Sequence, residues 1–252
     1  MTLVIDMPER LAAVGWTTEL HLRGRLAQGP AVAIVGARAA TTRGMHRAHA
    51  LARHLTERGV HVVSGGALGI DGAAHRGALA AGGATTVVLG TGIDVMYPAR
   101  HAALFRDALA AGGALVSMFP PGTEPRKSTF PQRNRLIAAL ADVVIVVEAD
   151  ARSGSLSTAR AGRELGRMVA AWPGSRGCDR LLATGAAVVE DEADALAALA
   201  GAPRRHAPAP LDPISARIAD ALATGARGID EVVRVTGLPV RAVLRALPRE
   251  MK

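Results

Sequence analysis

At 252 residues and 49% hydrophobic content, the chain exceeds one average domain and is too apolar for a disordered protein. Its formal net charge of +8 favours polyanionic partners, although Lys occurs only at Lys127 and Lys252, so GC-rich coding for Arg produces the same bias. The lone Cys178 excludes an internal disulfide framework and fits a reducing cytoplasm, and neither a signal peptide nor a membrane-spanning run is expected.

Residues 1–30 read as a short lead-in with at most one helix. From Ala31 to about Ala200, short β-branched runs alternate with segments of helical length. Strands are expected at Ala31–Val35, Val60–Val63, Thr85–Leu89, Ala114–Ser117, Val143–Val147 and Met168–Ala171. These runs are apolar throughout, as strands covered on both faces of a parallel sheet must be. Helices are expected at Arg43–Arg58, Gly72–Ala81 and His101–Ala111. The pattern predicts an α/β fold, an extended Rossmann-like, doubly wound and mostly parallel sheet over 31–202. Pro203–Pro213 reads as a linker, followed over 214–252 by a small helix–turn–helix unit built from Ile214–Leu222, Ile229–Val235 and Val240–Leu247. Little chain remains there for a β-wing.

Ligands of such sheets sit at the carboxyl ends of the strands, so the turns there carry the chemistry. The first turn, Gly36-Ala37-Arg38, lacks the glycines of a dinucleotide fingerprint. Arg38 either holds a phosphate from that position or pairs with a local carboxylate. The second, Ser64–Asp71, brings three glycines to a helix start, which suits either an anion or close packing. Asp71 and His75, one helical turn apart, form an acid/base pair or serve as cap and packing residue. No P-loop, nucleophile elbow or metal-ligand spacing occurs, so no cofactor and no metal are expected.

The stretch Arg126–Arg135 sets four basic residues around Phe130, one of only three phenylalanines, with a helix expected from about Gln132. A basic loop with an exposed ring suits base stacking with Arg and Lys tracking phosphates; the alternative is a solvated loop with Phe130 tucked beneath it. Asn134 offers hydrogen bonds to a sugar or base edge. Ser153–Thr158 places hydroxyls and Gly154 at a helix start, for capping or for a further phosphate contact.

Taken in order, VAIVGAR (Val32–Arg38), VVSGGALGID (Val62–Asp71), VLGTGID (Val88–Asp94), FPQRNRLIAAL (Phe130–Leu140) and VEADARSGSLSTA (Val147–Ala159), with Trp172-Pro173-Gly174, resemble the DprA/Smf family of DNA-processing proteins of bacterial transformation. The resemblance covers roughly residues 31–190. It implies a non-enzymatic protein that binds and protects single-stranded DNA, forms a homodimer and loads the RecA recombinase. By position it makes Arg38 the phosphate-contacting residue, Lys127 and Phe130 the cationic and stacking residues, and Arg133 and Asn134 the completion of a basic pocket whose far wall is Gly154 and Ser155. With Gly36, Ser64, Gly65 and Arg135, these form the expected DNA-binding set. The C-terminal helices resemble the family's winged-helix appendage, and the helical domain that precedes the sheet in many relatives is not expected here. Ala37 in place of Ser, Gly66 in place of Leu, Met118 in place of Glu and Asp179 in place of Asn depart from the family pattern; Gly66 is expected to loosen its turn.

Two other readings stay open. Phosphoribohydrolase-like enzymes place Gly-rich turns on a similar sheet, but their string carries a Glu that Ser64–Asp71 lacks. A transcription factor reading duplex DNA would use the C-terminal helices.

Overall fold

The computed structural model describes residues 3–4, 9–205, 213–223, 225–226 and 228–246. They fall into two compact units, Met1–His206 and Ala207–Lys252. The expected linker residues 206–212 and the expected last helical residue, Leu247, lie outside the described ones.

Among the described residues of the larger unit, nine strands form one sheet: β1 (Leu3–Val4), β2 (His21–Gly24), β3 (Ala31–Gly36), β4 (His61–Ser64), β5 (Thr85–Val88), β6 (Ala114–Ser117), β7 (Val143–Glu148), β8 (Met168–Ala171) and β9 (Ala187–Val188). Their order is β1-β2-β6-β5-β4-β3-β7-β8-β9, with parallel pairing from β6 through to β9. The first thirty residues, expected to hold at most one helix, contribute two strands as well as the short helix α1 (Glu9–Ala12). β2 runs antiparallel to β6 and β1 antiparallel to β2. Only Leu22 of β2 is buried, so a short strand reading HLRG gives no apolar run to detect.

The buried strands alternate cleanly between the two faces. Val32 and Ile34 of β3, with Val143, Ile145 and Val147 of β7, face the core beneath α2 (Thr42–Glu57) and α3 (Ile70–Ala80). Ala33, Val35, Val144 and Val146 face the opposite core, beneath α5 (Thr129–Ala139), α6 (Ser155–Glu164) and α7 (Arg176–Ala183). On the first face, α4 (Ala102–Ala110) seats Phe105 against Val87, Leu89 and Leu115, and α8 (Glu192–Leu199) closes the far edge. With aromatics at 2% of the chain, the helices approach through Ala and Gly. After β3 the chain winds through β4, β5 and β6 to one side, then returns to β7, β8 and β9 on the other, so the crevice between β3 and β7 is the topological switch point.

The smaller unit packs α9 (Pro213–Ala223), α10 (Ile229–Thr236) and α11 (Val240–Ala246) around Ile218, Ala221, Val232, Leu238 and Val243. Gly237 ends α10 at a φ of 63°, a left-handed turn that glycine adopts without a Cβ penalty, and Pro239 precedes α11.

Two histidines are built into the larger unit as neutral groups. Burial pushes His61 down to about 4 and His75 down to about 3. Thr85 Oγ1 donates to the Val62 carbonyl and accepts from His75 Nδ1, while His61 Nε2 bonds Thr86 Oγ1. Below the ordinary histidine value the unfolded chain takes up these protons and the folded chain does not. Stability therefore falls with falling pH by about 1.4 kcal/mol per unit for each histidine. Urea midpoints measured at about pH 7 and about pH 5 check this. The H61Q/H75N double variant should lose most of the slope, and a slope as steep as the parent's would overturn the assignment.

Candidate nucleic-acid interface

The helix expected from about Gln132 starts earlier: α5 begins at Thr129, so Phe130 and Pro131, expected in the loop before it, lie in its first turn. Helical geometry then sorts the residues from Phe130 to Arg135. At about 100° per residue, Phe130, Arg133, Asn134 and Ile137 share one face, whereas Arg135 points about 140° away from Phe130. The structure follows that sorting. Arg135 is exposed and pairs with Glu164 of α6 at 3.0 Å, outside the cavity that its neighbours line.

That cavity, about 740 Å³, sits at the carboxyl ends of β3 and β7. Gly36 to Ala39 form its floor, Ala67 and Asp71 one side, and Lys127, Phe130, Arg133 and Asn134 the next. Asp150, Arg152 to Ser155, Ser157 and Thr158 complete the wall. Among the expected residues, Gly36, Arg38, Lys127, Phe130, Arg133, Asn134, Gly154 and Ser155 are thus brought together. Arg152 is an exposed lining cation that the motif reading passed over, although it stands in the ADARSGS string. Glycine is dictated at position 36, where a Cβ would stand 2.8 Å from the Glu148 carbonyl.

Arg133 is not a surface cation. It is 4% exposed; its Nη1 donates to the Val88 carbonyl at 2.9 Å and to the Gly65 carbonyl, and its charge lies beside the buried Asp71. Burial lowers Arg133 to about 10 and raises the Asp71 carboxyl, each opposed by the other's charge. Asp71 also accepts from the Ala67 amide at 3.3 Å, and it does not pair with His75. Ser64, expected in the binding set, is fully buried, its Oγ donating to the Ile34 carbonyl at 2.6 Å. Gly65 is buried too, and a Cβ there would strike the Arg133 guanidinium. Both are buried because the β4 turn packs into the sheet end, and Gly65 there lines a smaller cavity with Arg38, Phe130 and Arg133. The same packing overturns the expected loosening at Gly66: its φ is 69°, and a Cβ there would lie 2.8 Å from the Phe105 ring.

Asn134 is likewise turned inward, its Nδ2 donating to Ser157 Oγ at 2.7 Å and to the Gly154 carbonyl at 3.2 Å, which ties α5 to the start of α6. Ser153 and Ser155 hydroxyls bond each other at 2.8 Å.

Phe130 is half-buried rather than free. The Arg38 guanidinium lies 4.8 Å above its ring centroid, Arg133 lies 5.8 Å away, and the Tyr97 ring is tilted against it at 5.9 Å. Gly90 makes room for it, since a Cβ there would come within 2.7 Å of the ring. Arg38 and Lys127 are exposed, and among the described residues neither forms an ion pair. Asp179, one of the departures, accepts from the Gly174 amide at 2.8 Å, a role that the amide oxygen of Asn fills equally well.

Removing one charge of the buried pair leaves the other uncompensated. Arg133→Met should cost about 3–5 kcal/mol in urea denaturation, with D71N/R133M recovering part of the loss. Arg135→Ala, which breaks an exposed pair, should cost less than about 1 kcal/mol.

The DNA recombination-mediator protein A family model matches residues 7–200, and the DprA winged helix domain model matches residues 202–248. A DNA processing protein DprA from Mycobacterium tuberculosis is 46% identical over 233 residues, covering 86% of this chain. The chain spans only 59% of that relative's length. The X-ray structure of DprA from Streptococcus pneumoniae superposes with a TM-score of 0.71 at 39% identity, covering 78% of this chain and 73% of that one. DprA from Helicobacter pylori, a structure described for its single-stranded DNA binding mode, gives a TM-score of 0.71 at 30% identity, covering 80% of this chain and 95% of that one. With a mostly parallel sheet whose switch-point cavity carries the family's strings and a second unit matching its winged-helix domain, the chain belongs to the DNA recombination-mediator protein A (DprA) family.

Proposed function

We propose that this chain binds single-stranded DNA in the switch-point cavity and acts as a recombination mediator in the cytoplasm. One observation carries the reading: three exposed cations, Arg38, Lys127 and Arg152, converge on a cavity that also holds an aromatic ring. Phosphates find charges not neutralised by partners, and a base finds Phe130. Arg38 now covers that ring, so a strand engages both at once. The base takes the place of the guanidinium over the ring, and the guanidinium turns to a phosphate, a bidentate contact it is shaped to make. Gly36, Gly154 and Ser155 contribute backbone and hydroxyl groups beside them, while Ser64, Gly65, Arg133 and Asn134 shape the cavity from behind and Arg135 stands outside it.

The carboxylates at the cavity favour binding over hydrolysis. Asp71 is buried against Arg133, and Asp150 accepts from the Ala151 amide at 2.7 Å. As in the family reading, the protein works as a homodimer and hands the strand to RecA, with the smaller unit as an accessory module.

Titration of labelled oligo-dT tests the assignment. Phe130→Ala should weaken binding by about 1–3 kcal/mol per stacked base. Arg38→Ala should weaken it strongly, and Lys127→Ala should lower the slope of log K against log salt by about 0.7. A duplex of equal length should bind more weakly than the single strand. Parental affinity in both Arg38→Ala and Phe130→Ala would sink the proposal.

A further inference from the structure

A second groove, about 660 Å³, opens beside the first. Ala37, Ala39 and Asp150 border both, so the turn after β3 is a shared ridge rather than a barrier between separate sites. Its cations come from two elements. Arg43 and Arg47 stand one helical turn apart on α2 and therefore on one face, and Arg176 opens α7 across from them. Among the described residues none of the three forms an ion pair.

The carboxylates in the groove are engaged locally. Glu148 accepts from the Thr41 amide at 2.9 Å and the Thr41 hydroxyl at 2.6 Å, and Asp150 from the Ala151 amide at 2.7 Å. The three guanidiniums outnumber the groove's two carboxylates, so its net charge is positive. Beside the groove, the half-buried ring of Trp172, one of two tryptophans in the chain, carries the Arg47 guanidinium 4.9 Å above its centroid. This repeats the arrangement of Arg38 over Phe130 in the first cavity. Two adjoining grooves, each bordered by cations that form no ion pair among the described residues and each with an aromatic ring within or beside it, match an extended strand better than a compact anion.

We infer that the groove of Arg43, Arg47 and Arg176 is a second segment of the single-strand path, taking the nucleotides that run on from the Arg38–Phe130 cavity over the Ala37–Ala39 turn. This rests on the function proposed above. It makes affinity depend on strand length, because a short oligonucleotide fills the first cavity alone and only a longer one reaches the second groove.

The test compares oligo-dT of about 4 and about 15 nucleotides, within the footprint range of single-strand grooves, binding to the full chain, to R43A/R47A/R176A and to R38A. The triple Ala variant should bind the short strand like the parent. It should bind the long one about tenfold more weakly, with a salt slope reduced by about 2, near 0.7 per lost contact. The R43K/R47K/R176K variant should restore the slope. R38A should lose both lengths, which separates the first cavity from the second. Parental long-strand affinity and slope in the triple Ala variant would overturn the inference and leave the first cavity standing, as would an equal loss at both lengths. Parental binding by R38A at both lengths would instead remove the first cavity and the path built on it.

Discussion

The site depends on one buried guanidinium. Arg133 sits at the sheet end, holding the Gly65 and Val88 carbonyls while Asp71 balances its charge. Val88 is the last residue of β5 and Gly65 the first after β4, so the guanidinium supplies donors where the sheet runs out. Taking a charge out of water is costly, and the cost is bearable only because Asp71 and two acceptors surround it. Several local residue choices follow. Gly65 must lack a side chain to admit the guanidinium, Gly90 must lack one to admit the ring of Phe130, and Gly66 must turn tightly against Phe105. The position of Phe130, one helical turn before Arg133, is set from beneath.

Much of this architecture was legible in the sequence, because buried parallel strands announce themselves as apolar runs and the turns between them as glycine clusters. All six expected strands lie at their expected places within a residue or two. The strands that escaped were short or at the sheet edge. β2 buries only Leu22 and β9 is two residues long, so neither carries a pattern distinguishable from loop. At the site, residue type was legible and direction was not. The string Thr129–Arg135 looks like a basic loop because Pro and Arg dominate it, yet Pro is welcome in the first helical turn. Once that helix is drawn, its period separates Arg133 and Asn134 from Arg135 without further information. The signal was present in the spacing of Phe130, Arg133, Asn134 and Ile137.

The division between paired and unpaired cations follows from the same geometry and explains what each group is for. Arg133 Nη1 holds two backbone carbonyls and its charge faces Asp71, so it sets the cavity's shape from within the sheet end. Arg38, Lys127 and Arg152 project from turns beyond the strand ends, and among the described residues none of them forms an ion pair. Their charges stay solvated, which is inexpensive, and stay available to phosphate. Asp71, 5% exposed, sets its charge against the Arg133 guanidinium, 4% exposed, which leaves Arg38, Lys127 and Arg152 to make the exposed field of the cavity positive. The departures at Ala37, Gly66 and Asp179 leave this division intact: Ala37 removes only a hydroxyl, Gly66 supports the turn that Arg133 grips, and Asp179 supplies the same acceptor as the Asn it replaces.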